Sequence, residues 1–170
     1  MLYNLTKHGN RKVIFILGKG RLLNQSIVSK KPNALFCEAA CPVKVIEIAE
    51  EQFLQLMEQS HALTRAVLRE YERNLWRMGH QLKNTTGNMQ MERKIAAKLW
   101  KLGRDFGVDT EDGVMIDIDL TITLMADLVG APRENVSRAC KVLTDRGLIR
   151  YGNKRFTLTD SDGLADFYKM

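Results

Sequence analysis

Two hydrophobic periods divide the chain. Up to residue 48 apolar positions alternate or cluster in short runs, from Leu2 to Thr6, Arg11 to Leu17, Leu35 to Ala39 and Val43 to Ile48, which predicts strands. The first two runs flank Lys7-His8-Gly9-Asn10, whose Gly and Asn tolerate positive φ, so a hairpin is expected there. A Gly-Lys-Gly break at 18–20 and the loop Ser29-Lys30-Lys31-Pro32-Asn33 separate the others. From Glu50 the period changes to that of a helix. Leu63, Val67, Tyr71, Leu75, Met78 and Leu82 recur at steps of three and four over a stretch without proline, giving one long helix with a single apolar stripe. No second long helix lies nearby in sequence to cover that stripe. A twin copy from a second subunit is the economical partner, in coiled-coil fashion, and packing on the chain's own β half is the alternative. Gly79 and Asn84-Thr85-Thr86-Gly87-Asn88 are poor helix formers and mark a bend or hinge.

A further helix carries Ile95, Leu99, Leu102 and Phe106 on one face and runs out at Gly107. Asp109 to Gly113 reads as an acidic loop and Val114 to Ile118 as a short strand. The segment LTITLMADLVGAPRENVSRACKVLTDRGLIRYGNKRFTLTD then shows three features in succession. A short helix from about Thr121, with Leu124, Leu128 and Val129 apolar, is stopped by Gly130, and Pro132 has the fixed φ suited to a helix start. The helix from about Pro132 to Asp145 turns Val136, Ala139, Cys140 and Leu143 inward and Arg133, Glu134, Ser137, Arg138 and Lys141 outward. Two helices joined by so tight a turn make a helix-turn-helix. Finally, Leu148 to Leu158 reads as two strands around Gly152-Asn153 with Arg150, Lys154 and Arg155 at the tip, a wing able to touch a phosphate backbone.

Charge sharpens this picture. The 170 residues carry a net charge of +6, and 45% are hydrophobic, enough for real cores. Between Ala131 and Leu158 stand Arg133, Arg138, Lys141, Arg146, Arg150, Lys154 and Arg155 against Glu134 and Asp145, a local net charge of +5. The last twelve residues carry Asp160, Asp162 and Asp166 against Lys169. Positive charge is thus concentrated where a phosphate-facing surface needs it. Arg can donate two parallel hydrogen bonds to guanine and Glu can accept one from cytosine, and both stand in the first turns of the second helix. Thr121 and the backbone N–H groups behind it suit a phosphate.

Other chemistry is poorly represented. Cys37, Cys41 and Cys140 are an odd number without the spacing of a zinc cage, and no signal peptide opens the chain, so a reduced cytoplasm is the expected compartment. Cys37 and Cys41, followed by Pro42, read as structural before redox-active, and Cys140 as packing. His8, His61 and His80 are isolated. The longest apolar run, Val13 to Leu17, is far too short to span a bilayer. No nucleophile elbow, Walker loop or metalloprotease motif is present, which argues against an enzyme.

PRENVSRACKVLTDRGLI resembles the recognition-helix signature of the bacterial Crp/Fnr transcriptional regulators, in which an Arg/Glu pair precedes Val-Ser-Arg and an aliphatic run ending in Gly-Leu-Ile. More weakly, the resemblance extends through the whole chain. It implies an α+β protein made of a partial β-roll effector domain of cupin-like type over 1–50, a dimerisation helix and hinge over 51–88, and a winged helix-turn-helix over 89–170. It also implies a homodimer on a palindromic operator, with duplex DNA, a small-molecule effector and RNA polymerase as partners. Carried over by residue, Arg133, Glu134 and Arg138 are base-contacting, Ser137 is a further base or phosphate contact and Thr121 contacts a phosphate. Beside them, Lys141 on the outer face and Lys154 and Arg155 on the wing are candidate phosphate contacts, and Ser137 is counted with the base-contacting residues.

The input end departs from the family pattern. Where cyclic AMP-binding members present an Arg-Ser pair, this chain offers Asn33 and Ala34, and where the long helix would reach the base it offers Gly79 and His80. These four residues are the candidate effector pocket, and without the Arg they argue against cyclic AMP, leaving the cofactor unknown. His80 is otherwise a helix-surface histidine. The first hairpin resembles a middle part of the β-roll, so the chain is expected to be a fragment or to carry a reduced roll. Two rival functions remain, a winged-helix module that docks an acidic protein and a small-molecule sensor that does not bind DNA.

Overall fold

The computed structural model describes residues 1–7, 9–23, 26–29, 31–83 and 89–169. His8 and the Asn84–Asn88 hinge expected from the sequence lie outside the described residues. The chain divides into two compact units, Met1–Leu5 with Ile14–Lys83, and Thr6–Val13 with the chain from Asn84 on. Segments 1–50 and 51–88 therefore share the first unit up to Lys83, apart from Thr6–Val13.

A three-stranded sheet has the order β2-β1-β3, with β1 at Leu2–Leu5 and β3 at Phe36–Cys37 in the first unit and β2 at Arg11–Phe15, of which Ile14 and Phe15 belong to that unit. β1 and β3 run antiparallel, with Leu2 opposite Cys37 and Tyr3 opposite Phe36. The expected strand over Val43–Ile48 does not form. Its side chains are largely exposed, Ile46 at 91%, and no strand edge among the described residues receives it. An alternating pattern stabilises a strand only when a neighbour accepts its backbone hydrogen bonds.

The long helix is two helices, α1 over Glu50–Gln59 and α2 over His61–Lys83, parted at Ser60, whose φ of −129° is extended. Ser60 Oγ then accepts from Leu63 N at 3.2 Å, so the break is also the N-terminal cap of α2. Val67 is buried, and Arg21 pairs with Glu70 at 2.6 Å. Gln81 Nε2 donates to Ile14 O at 2.8 Å, and the Arg77 guanidinium lies 4.9 Å from the Phe15 ring centre. Residues 63, 67, 70, 74, 77 and 81, all buried or half-buried, form the face turned to the chain's own β structure. Leu63 and Val67 therefore belong to this inner face, which corrects the single stripe expected from sequence. A second row, Leu68, Tyr71, Leu75, Met78 and Leu82, repeats at steps of three and four and is exposed, Leu68 at 60% and Leu75 at 72%.

In the second unit, α3 (Met91–Phe106) buries Ile95, Leu99 and Leu102 and ends at Gly107 as expected. A four-stranded antiparallel sheet follows in the order β4-β5-β7-β6, formed by Gly107–Thr110, Gly113–Ile116, Arg155–Leu158 and Ile149–Gly152. The acidic loop expected at Asp109 to Gly113 is narrower, because Asp109 and Thr110 pair with Val114 and Gly113 as the end of a hairpin. Helix α5 (Arg133–Asp145) covers the sheet with α3, and α4 (Ile122–Val129) packs on both helices. Phe156, Ile95, Leu99, Ile116, Leu120, Met125, Leu143, Ile149 and Leu164 are the largest wholly buried side chains of this core. The acidic tail is a helix, α6 over Ser161–Lys169, which packs on α3 with Trp100 and Tyr168 rings 5.8 Å apart. Asp160 Oδ1 accepts from Gly163 N at 2.8 Å, so a residue read only as charge is its N-terminal cap. Among the described residues no helix is long and apolar enough to cross a membrane.

Candidate nucleic-acid interface

Local chemistry sets the angle between α4 and α5. Thr121 Oγ1 accepts from Leu124 N at 3.0 Å and caps α4 at its start. At the other end Gly130 takes the left-handed conformation, φ 71° and ψ 49°, and its N–H donates to Ala126 O at 2.7 Å. A side chain there would strain the backbone and meet the Lys12 ammonium at 2.8 Å. Pro132 follows with φ −57° and launches α5.

α5 then presents two faces with the predicted membership. Val136, Ala139, Cys140 and Leu143 are buried, whereas Arg133, Glu134, Ser137, Arg138 and Lys141 are exposed. Arg133, Glu134, Ser137 and Arg138, one turn apart on α5, share one open, exposed face. Arg138 Nη2 donates to Asn135 Oδ1 at 2.5 Å, which steadies the guanidinium one turn from its own Cα. Arg133 and Lys141 make no ion pair among the described residues.

Burial on the inner face has a chemical consequence. Desolvation pushes the Cys140 thiol up to about 11, whereas Cys37 and Cys41 are exposed. A thiol reagent at pH 8 should therefore label two of the three cysteines of the folded protein rapidly and Cys140 only on unfolding. Rapid labelling of all three in the native state would contradict this inner face.

The wing differs from expectation in register and in charge. Gly152 pairs with Arg155, so the two-residue turn is Asn153-Lys154, one residue beyond the expected centre. Both turn residues have positive φ, 50° and 60°, as a type I′ hairpin requires. Asn tolerates this conformation and Lys does not favour it, and a tertiary bond from Leu120 N to Lys154 O at 2.7 Å holds it. The bond places the wing tip beside the start of α4, so Thr121 and Lys154 come together. Of the three wing cations, Lys154 alone makes no ion pair among the described residues. Arg150 pairs with Asp112 at 2.7 Å, and Arg155 pairs with Asp117 and, at 3.9 Å, with Asp119. The local +5 counted along the chain is smaller in space for this reason.

Sequence reasoning missed two further residues. Lys12 Nζ donates to Leu128 O at 3.0 Å, in the last turn of α4, and Arg11 Nε lies 3.7 Å from Asp127 on the same helix. Desolvation by burial raises the Asp127 carboxyl, with Arg11 opposing it, and desolvation, helped by Lys94, lowers Lys12. Nothing local in the hairpin signals a contact spanning 116 residues.

The candidate effector residues all lie in the first unit and are exposed. Asn33 Oδ1 accepts from Ser26 N at 3.3 Å, and Ala34 is on the same loop. On α2, a side chain at Gly79 would meet open space, and the His80 ring lies 3.9 Å from that of Trp76. None of the four lines the depression on α5.

Residues 93–167 match the Crp-like helix-turn-helix domain. The chain is 25% identical over 158 residues to a CRP-like cAMP-activated global transcriptional regulator of Mycobacterium tuberculosis, covering 92% of this chain and 70% of that protein. It is 27% identical over 120 residues to the global nitrogen regulator of a Nostoc species, spanning 71% of this chain and 53% of that protein. Among solved structures, a CRP-family transcriptional regulator from Thermus thermophilus superposes with a TM-score of 0.79 at 19% identity, over 99% of this chain and 83% of that one. At that identity the superposition speaks for the fold.

Proposed function

We infer, from the match of residues 93–167 to the Crp-like helix-turn-helix domain and the likeness to Crp-type regulators, that the chain is a transcription regulator of Crp/Fnr type whose α5 enters the major groove of duplex DNA. Arg133, Glu134, Ser137 and Arg138 contact base edges, while Thr121, Lys141, Lys154 and Arg155 contact phosphates. The observation that carries this reading is that the four base readers share one open face of α5 whose opposite face is the domain core. Two copies joined along the outer row of α2 would bind a palindromic operator with half-sites about 34 Å apart. RNA polymerase is the further partner of this reading. A small-molecule or stress signal other than cyclic AMP, received at Asn33, Ala34, Gly79 and His80, acts through unequal affinity for the DNA-competent and incompetent arrangements.

Selection of bound DNA from a random pool by the full-length protein tests the reading, with recovery of a palindrome as the expected result. Loss of base preference should then separate by residue. Arg138→Ala or Glu134→Ala should relax preference by about 1–3 kcal/mol at one base pair per half-site, whereas Lys154→Ala should weaken all sequences alike. Equal losses on selected and random duplexes for all three variants would refute the division of roles. A steep fall of affinity with salt distinguishes duplex binding from docking on an acidic protein.

A further inference from the structure

The wing of this protein carries its own counterions. Val114 pairs with Leu158 and Met115 with Thr157 across β5 and β7. Continuing that antiparallel register by two residues sets Asp117 opposite Arg155, on the same face of the sheet. Arg155 Nη1 accordingly donates to Asp117 Oδ1, and its Nη2 lies 3.9 Å from Asp119 Oδ1. In the β4–β5 turn, Asp112 Oδ2 accepts from Arg150 Nη1 at 2.7 Å. Arg150, Lys154 and Arg155 are thus matched in number by Asp112, Asp117 and Asp119, and the wing is close to neutral. The outer face of α5 keeps Arg133, Arg138 and Lys141 against Glu134.

These pairs are poor devices for stability. The Arg150 and Asp112 side chains are each 60% exposed, and Asp117 and Asp119 are 52% and 68% exposed. Ion pairs so open to water contribute little to folding because solvent and salt screen them. The same openness lets a phosphate replace a carboxylate at either arginine with little cost to the fold. A phosphate and an aspartate compete for the same guanidinium, and a duplex without base contacts to α5 brings less binding energy to that competition.

We propose that Asp112, Asp117 and Asp119 are specificity-determining residues that hold Arg150 and Arg155 away from non-operator DNA, so that discrimination rests on α5. The proposal builds on the DNA-binding reading above. Its test compares the full chain with Asp112→Asn and with Asp117→Asn/Asp119→Asn, on the selected palindrome and on random-sequence duplex of equal length, across a potassium chloride series. Each neutralised pair should tighten random-duplex binding about two- to fivefold at low salt, the range of an exposed pair. The salt slope should steepen by about 0.9 for each phosphate gained. The gain on the palindrome should be smaller, so the ratio of the two affinities falls. Adding Arg155→Ala to the double variant should abolish its gain. Unchanged affinity for random duplex, an equal gain on both DNAs, or a gain that persists without Arg155 would each overturn the proposal. A wild-type protein that bound neither DNA would remove the DNA reading and this inference together, whereas one that bound normally beside unaltered variants would remove the inference alone.

Discussion

Phe156→Ala is expected to lower the stability of the C-terminal unit by about 3–5 kcal/mol, the range for a fully buried aromatic ring cut to a methyl group. Phe156 is wholly buried on β7, its ring 4.5 Å from that of its cross-strand partner Tyr151. Its neighbours in sequence, Arg155 and Thr157, point to the other face of the strand, so the residue that anchors the wing is adjacent to one that serves it. The void cannot close easily, because Ile149, Leu158 and Leu164 around this core are each held on separate strands or helices. Thermal unfolding followed by circular dichroism should show a fall in Tm of more than about 10 °C. Arg138→Ala, on the exposed face of α5, should shift it by no more than a degree or two. A Phe156→Ala protein that melted with the wild type would show that the wing strand is not part of the domain core.

The second large effect concerns the outer row of α2. Leu68, Tyr71, Leu75, Met78 and Leu82 keep the alternating three-and-four spacing of a coiled-coil seam, and Leu68, Leu75 and Met78 are 60%, 72% and 46% exposed. Such a row, distinct from the face already turned to the chain's own β structure, supports its burial against a second copy. Burying a leucine fully is worth about 1.5–3 kcal/mol, and a carboxylate at the same place reverses the sign. Leu68→Glu with Leu75→Glu should therefore yield a monomer in sedimentation experiments while helix content is preserved. Operator affinity should fall by about 10²–10⁴, the gain that linking two reading heads supplies without any new contact to DNA. A double variant that sedimented as a dimer and bound the operator normally would place the subunit contact elsewhere.

Legibility differs from element to element for physical reasons. The two faces of α5 are legible because amphipathic periodicity is local, and the turn before it is legible because Gly130 and Pro132 are chemically committed to their backbone angles. The signal for α6 is present in the sequence but easily missed, since Asp160 counts as charge before it counts as a cap. The sequence places the wing turn one residue early, because the positive φ of Lys154 is held by a hydrogen bond from Leu120 and not by its own preference. On α2, periodicity runs the outer row through Leu63 and Val67, and only their burial against the chain's own β structure shows that the row starts at Leu68.

The helix-turn-helix and the membership of its inner and outer faces can be read along the chain alone. Each of these depends on residues within about two turns of one another, where period and propensity decide. Tertiary structure decided which of the wing's charges remain available. Arg150 and Arg155 stand 38 residues from the aspartates that answer them, and only the antiparallel register of β5 and β7 with the turn of β4 and β5 brings the two signs together. Likewise, a run such as Val43–Ile48 carries the pattern of a strand but becomes one only where another strand's edge lies beside it, which no local pattern can specify.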